Sequence, residues 1–174
     1  MIRKLSLLTG AAAGFLYAAV LFITWKSGIS ALANFLTFYT WTPIILLIIG
    51  GTAWWLKNRS GILTGFKAIL QYALLAYLVF EIIYAAANYG LFGVLDKQLN
   101  DQLVQHLLDS TREKLQRGGA GKDQIASVED LANAGRLPLT IKQTIIGLGQ
   151  NMLIDFLKCL FIATITKQNI TPKV

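Results

Sequence analysis

The stretch AILQYALLAYLVFEIIYAAANYGLFGVL, residues 68–95, decides the fold. It is 28 residues long and carries one formal charge, Glu81, with 13 uncharged residues before it and 14 after. A helix rises about 1.5 Å per residue, so about 20 residues cross a hydrocarbon core about 30 Å thick. This stretch is long enough to span, and it has no charged face to turn toward water. The glutamate at its centre then poses two questions: what surrounds it, and what partners its carboxyl group.

The rest of the chain answers the first. Of its 174 residues 55% are hydrophobic and 14% charged, and the mean hydropathy is +0.54, whereas a water-soluble domain carries charge on about 25% of its residues. Three further blocks read as spans. Leu5 to Trp25 is 21 residues without a charge, Ser27 to Leu56 is 30 uncharged residues that cross from Phe35 onward, and Gln143 to Thr166 holds only Asp155 and Lys158. An outer-membrane barrel would need repeated alternating strands of about 10 residues, and the chain has none. The reading is an all-α integral membrane protein, one membrane domain over residues 1–174. Its four transmembrane helices lie at about 5–25, 35–56, 68–95 and 143–166, with a helical loop over 96–142 between helices 3 and 4. Arg3 and Lys4, with Ala31-Leu32-Ala33 further on, imitate a signal peptide. An apolar run longer than about 7–15 residues speaks instead for a retained span.

Orientation follows lysine and arginine. Arg3, Lys4, Lys57, Arg59, Lys67, Lys167 and Lys173 fall on one side of four spans, while the first loop opposite holds only Lys26. In the long loop, Lys97, Arg136 and Lys142 lie near span ends, and seven acidic residues balance the loop as a whole. Both termini are therefore expected on the cytoplasmic side. The net charge of +7 then faces the anionic leaflet, so the lipid bilayer is the expected partner of that charge and nucleic acid is not. The one cysteine, Cys159, can form no intrachain disulfide and reads as a small buried residue.

The long loop has structure of its own. Leu99, Leu103, Val104, Leu107, Leu108 and Leu115 share one half of a helical wheel, and Asp101, Gln105, Asp109, Arg112 and Gln116 the other, which predicts an amphipathic helix. Gly118-Gly119 ends it, a shorter helix is expected over Asp123 to Ala134, and Gly135 and Pro138 precede the last span. Such faces must cap the bundle, lie on the membrane or bind a partner. GGAGKD in this loop is not a phosphate-binding loop, because Gln116 and Asp123 stand where Gly and Ser or Thr are required. His106 has no Cys or second His near it and reads as a surface residue.

Ser6, Gly10, Gly14 and Ala18 repeat every four residues along helix 1, a small-residue stripe that lets a neighbouring backbone approach closely. It suits a seam between two copies of the chain or packing against another helix of the same bundle; we favour the second.

Tyr77, Glu81, Tyr84 and Asn88 share one face of helix 3, and Asn151, Asp155 and Lys158, continued by Gly147, share one face of helix 4. With these helices antiparallel and Glu81 level with Asp155, Lys158 lies about 4–5 Å toward the inside, within reach of a lysine side chain. Each ionised side chain at the bilayer centre costs at least about 2.5–3.5 kcal/mol, which facing stripes offset. Two carboxylates against one ammonium leave a negative excess that a proton or a bound cation would neutralise. A structural knot fixing helix register is favoured over a proton or cation path. No catalytic constellation, metal-ligand spacing or cofactor motif accompanies it.

SGILTGFKAIL (60–70) entering helix 3, REKLQRGGAGKDQI (112–125) in the loop and IGLGQNMLIDFLKCLFIATITK (146–167) before a basic tail give a resemblance over most of the chain. It is similar to a family of small four-span bacterial membrane proteins known only as a domain of unknown function, common in Bacteroidetes. The resemblance implies fold and topology, marks no catalytic site, and has no fixed glutamate matching Glu81. The functional expectation is a non-enzymatic multi-pass protein acting by association, through the helix 1 stripe with a second copy or through the outer helical loop with a protein partner. The alternative is a small proton- or cation-coupled carrier or channel component using Glu81, Asp155 and Lys158.

Overall fold

The computed structural model describes residues 1–117 and 139–168. Among these residues six α-helices follow one another: α1 Ile2–Lys26, α2 Ile29–Trp41, α3 Ile44–Ser60, α4 Phe66–Asn88, α5 Leu99–Arg117 and α6 Ile141–Gln168. A π-helical segment, Tyr89–Leu95, extends α4. α1, α4 with its extension, and α6 are each long and apolar enough to cross a membrane; α2 and α3 reach that length only together, as one span bent by 51°.

That bend corrects the continuous helix expected from Phe35 to Leu56. Proline has no N–H to donate and drives the residue before it out of the helical region. Pro43 does both here, and Thr42 is extended at φ −104°, ψ 122°. α2 closes with Thr42 N–H on the Phe38 carbonyl at 2.9 Å, and α3 opens with Leu47 N–H on the Pro43 carbonyl at 3.1 Å. Backbone groups at such a break have lost their intrahelical partners. The third expected span also departs from a regular helix. After Asn88 the chain widens to π geometry, with Asp96 N–H reaching back five residues to the Leu91 carbonyl at 2.9 Å. Gly93 suits the wider turn: a Cβ there would stand 2.8 Å from the Tyr89 ring and 3.1 Å from the Leu139 carbonyl.

α4 is the central helix, flanked most extensively by α1 and α6. α1 runs parallel to it. Thr9 meets Tyr72, Tyr17 meets Asn88, and Trp25 Nε1 donates to Asp96 Oδ2 at 3.4 Å. Their approach is as close as backbone allows, since a Cβ on Gly10 would lie 2.3 Å from the Ala76 carbonyl oxygen and one on Gly14 2.8 Å from Ile83. The stripe Ser6, Gly10, Gly14 is thus buried against α4, with Ala18 half-buried at its end. α6 runs antiparallel to α4. Tyr72 ties three helices together, its hydroxyl lying 2.8 Å from Thr9 Oγ1 and 3.0 Å from Thr52 Oγ1 of α3.

Two apolar cores result. One, around Ile49, Leu56, Ile69, Tyr72 and Ile162, lies toward the end bearing Arg3, Lys57 and Lys67, where Lys57 Nζ also donates to the Thr166 carbonyl. The other, around Tyr17, Leu32, Phe80 and Leu91, lies toward the opposite end, where α5 crosses α2. α5 turns Leu99, Leu103 and Leu108 inward and leaves Leu107 exposed. The helix expected over Asp123 to Ala134, the glycines at 118–119 and the tail bearing Lys173 lie outside the described residues.

Candidate functional site

Glu81 sits midway along α4, at the level where the two cores meet, and only 5% of it is exposed; Asp155 on α6 is 3% exposed. The two polar faces meet here because α4 and α6 pack antiparallel along most of their lengths. Asn151 Nδ2 donates to Glu81 Oε2 at 3.0 Å. Lys158 does not pair with Glu81. Its Nζ donates to Asp155 Oδ1, one turn back on its own helix, at 2.8 Å, and stands 5.7 Å from the centre of the Tyr77 ring, within cation–π range.

The charge balance is incomplete. Glu81 and Asp155 line the same cleft, yet two carboxylates are both acceptors, and neither can donate to the other unless one carries a proton. Among the described residues Asp155 Oδ2 has no donor, and the buried Tyr77 hydroxyl has no partner either. Leaving a buried polar group unpaired costs about 1–3 kcal/mol. One proton shared by the carboxyls, or one small cation among these oxygens, would supply the missing partner and cancel the excess negative charge.

Glu81, Tyr84 and Asn88 of the expected helix 3 face line one cleft with Asn151 of α6, and Tyr77 faces Lys158; Tyr84 and Asn88 also reach α1. Asn88 Nδ2 donates to the Tyr84 carbonyl at 2.8 Å and lies 3.1 Å from the Tyr17 hydroxyl. Tyr17 is the hub of a ring cluster, its ring centre 4.7 Å from that of Tyr84 and 4.8 Å from that of Tyr39. Neither Tyr17 nor Tyr39 stands out in the sequence, because each belongs to a different apolar run with no polar periodicity of its own. Pro43, inside such a run, was the readable signal for the break that brings α2 to the site.

Two clefts open beside the carboxyls. One, of about 570 Å³, leads from Glu81 and Asn151 toward the α5 end, past Asn88, Asn100, Gln143 and Thr144, with Gly147 in its wall. The other, of about 460 Å³, lies at the α2–α3 break and is lined by Tyr39, Pro43, Asp155 and Lys158. Glu81, Tyr84 and Asn151 line both. The glutamate therefore stands in the wall that the clefts share. Of the helix 1 stripe, none of Ser6, Gly10, Gly14 and Ala18 lines either cleft.

The chain belongs to the family described as Protein of unknown function (DUF4199), whose pattern matches residues 4–168. No curated protein and no solved structure matches it. Membership covers all of the spans and the site, and the description attaches no activity to them.

Proposed function

We propose that the protein is a non-enzymatic, four-span protein of a bacterial inner membrane, with both termini cytoplasmic, that takes up a proton or monovalent cation at Glu81 and Asp155. Movement of that ion would be coupled to a small polar solute held in the adjoining cleft. One observation carries this reading: a buried carboxyl lies in the common wall of two clefts, beside a broken span. Ionisable groups inside a membrane favour ion paths, and discontinuous helices recur at carrier binding sites because unwound backbone offers carbonyls and N–H groups at membrane depth. Two carboxyls, one already bonded to an ammonium, are too few ligands for a divalent ion. They suffice for a proton.

The reading by association would need other surfaces. The small residues of α1 are engaged by α4, and most of the buried leucines of α5 face its own bundle. The apolar outer side of α6, including Ile145, Leu153, Phe156 and Leu157, needs no more than lipid to cover it.

Purified protein in liposomes should carry an ion flux, read with an internal pH dye under proton and then sodium gradients. Glu81→Gln should abolish it while Thr164→Val, exposed on α6 and away from both clefts, retains it. No flux from well-folded protein under either gradient would refute the proposal.

A further inference from the structure

A third cavity, of about 610 Å³, lies at the basic end between α1 and α4, away from the carboxyls; it is lined by Arg3, Leu7, Lys67, Leu70, Gln71, Leu74 and Leu75. Arg3 and Lys67 occupy the first turns of the two helices. Neither forms an ion pair among the described residues. Leu7, Leu70, Leu74 and Leu75 continue from them along the spans, so the cavity is cationic and hydrogen-bonding at its mouth and apolar in its depth.

The charge around it has no counterpart among the described residues nearby. All nine acidic residues are accounted for elsewhere in the sequence: seven between Asp96 and Asp130, and Glu81 and Asp155 within the spans. Among the described residues the basic end, with Arg3, Lys4, Lys57, Arg59, Lys67 and Lys167, holds no Asp or Glu to neutralise it. An anion must come from outside, and in a groove whose floor is leucine it must arrive with an apolar tail. We infer that this groove binds one anionic phospholipid, its phosphate between Arg3 and Lys67 with Gln71 in reach, and an acyl chain along Leu7, Leu70 and Leu74. Basic pockets between transmembrane helices hold acidic head groups by the same combination of charge and apolar contact.

Because the Gly10 and Gly14 contacts bring α1 and α4 together just above this groove, a lipid seated there would bridge the two helices. The test is native mass spectrometry of the full chain released from mixed phosphatidylglycerol and phosphatidylcholine. Wild type should retain one phosphatidylglycerol in preference to phosphatidylcholine. Each cation near a membrane surface contributes about fivefold in affinity, so Arg3→Gln with Lys67→Gln should weaken retention about thirtyfold. Arg59→Gln with Lys167→Gln removes equal charge on α3 and α6, outside the groove's lining, and should change it less than about threefold. Equal losses in both variants would reduce the effect to diffuse attraction and overturn the site, and so would a wild type indifferent to the head group. Should the first double variant fold poorly, Lys67→Gln alone serves, with an expected loss of about fivefold; an unchanged phosphatidylglycerol retention in that variant would also overturn the site.

Discussion

Replacing Lys158 with methionine removes the ammonium 2.8 Å from Asp155 Oδ1 and keeps most of the apolar stem. The Asp155 side chain is 5% exposed and its other oxygen has no donor among the described residues, so the carboxylate would lose its charged partner without gaining water. Breaking a buried pair from one side costs about 3–5 kcal/mol. The Lys158 side chain is 43% exposed, so solvent already screens part of the attraction, and we expect a smaller loss of about 2–3 kcal/mol. Asp155→Asn in the same chain should restore more than half of it, which is a coupling of about 1–2 kcal/mol in a double-mutant cycle.

Glu81→Gln should behave in the opposite way. The amide can still accept from Asn151, and its N–H₂ can donate to Asp155 Oδ2, so a missing hydrogen bond worth about 1 kcal/mol is made and a repulsion removed. The assay is reversible denaturant unfolding in bicelles for the four variants and wild type. A Lys158→Met variant neutral within about 0.5 kcal/mol, beside a Glu81→Gln variant that loses more than about 2 kcal/mol, would refute this pairing. That pattern would mean that the ammonium is spent on Glu81 and that Asp155 finds its donor elsewhere.

Two further outcomes test the packing that holds the site. Gly10→Ala places a methyl 2.3 Å from the Ala76 carbonyl oxygen, a backbone atom that cannot swing aside, and should cost about 2–3 kcal/mol. Gly51→Ala meets nothing within 4 Å and should be neutral or slightly stabilising; equal thermal shifts for the two would refute the close α1–α4 approach. Tyr72→Phe removes the hydroxyl shared by Thr9 and Thr52 and should lower unfolding free energy by about 1–2 kcal/mol, with Thr52 less affected because it also bonds the Ile48 carbonyl at 2.8 Å.

What could be read from the sequence was what depends on period and length. The apolar runs are long enough to announce spans on their own. The intervals Tyr77–Glu81 and Asn151–Asp155–Lys158 placed the polar groups on two faces at one depth, because helix geometry alone dictates that spacing. Which carboxyl the lysine chooses was beyond such arithmetic. Asp155 wins because a residue three positions back on the same helix is reached by a short arc, whereas Glu81 lies across an interface already bridged by Asn151. The bend at Pro43 was legible from proline chemistry but concealed by the 30 uncharged residues around it, in which length argued for one helix. The ring cluster of Tyr17, Tyr39 and Tyr84 comes from three helices. No local pattern brings such residues together; only the tertiary packing does.

The arrangement around α4 is lopsided, and the lopsidedness bears on mechanism. On one side α1 is locked in parallel by glycine contacts at Gly10 and Gly14, and the Tyr72 hydroxyl adds a bond to Thr9. A wall held this closely can move only by opening a backbone-to-backbone contact. On the other side lie both clefts that reach Glu81, bounded by α6 and by the broken span. A Cβ added at Gly50 of α3 would meet Ile162 of α6 at an ordinary van der Waals distance of 3.6 Å, with no interlock of the kind that binds α1. Any motion that exchanged the access of Glu81 between the clefts would therefore fall on α6 and on α2–α3, with Thr42-Pro43 as the joint, while α1 and α4 kept the carboxyl in place. In that division the same proline that shortens the second span also gives the carboxyl pair a movable neighbour.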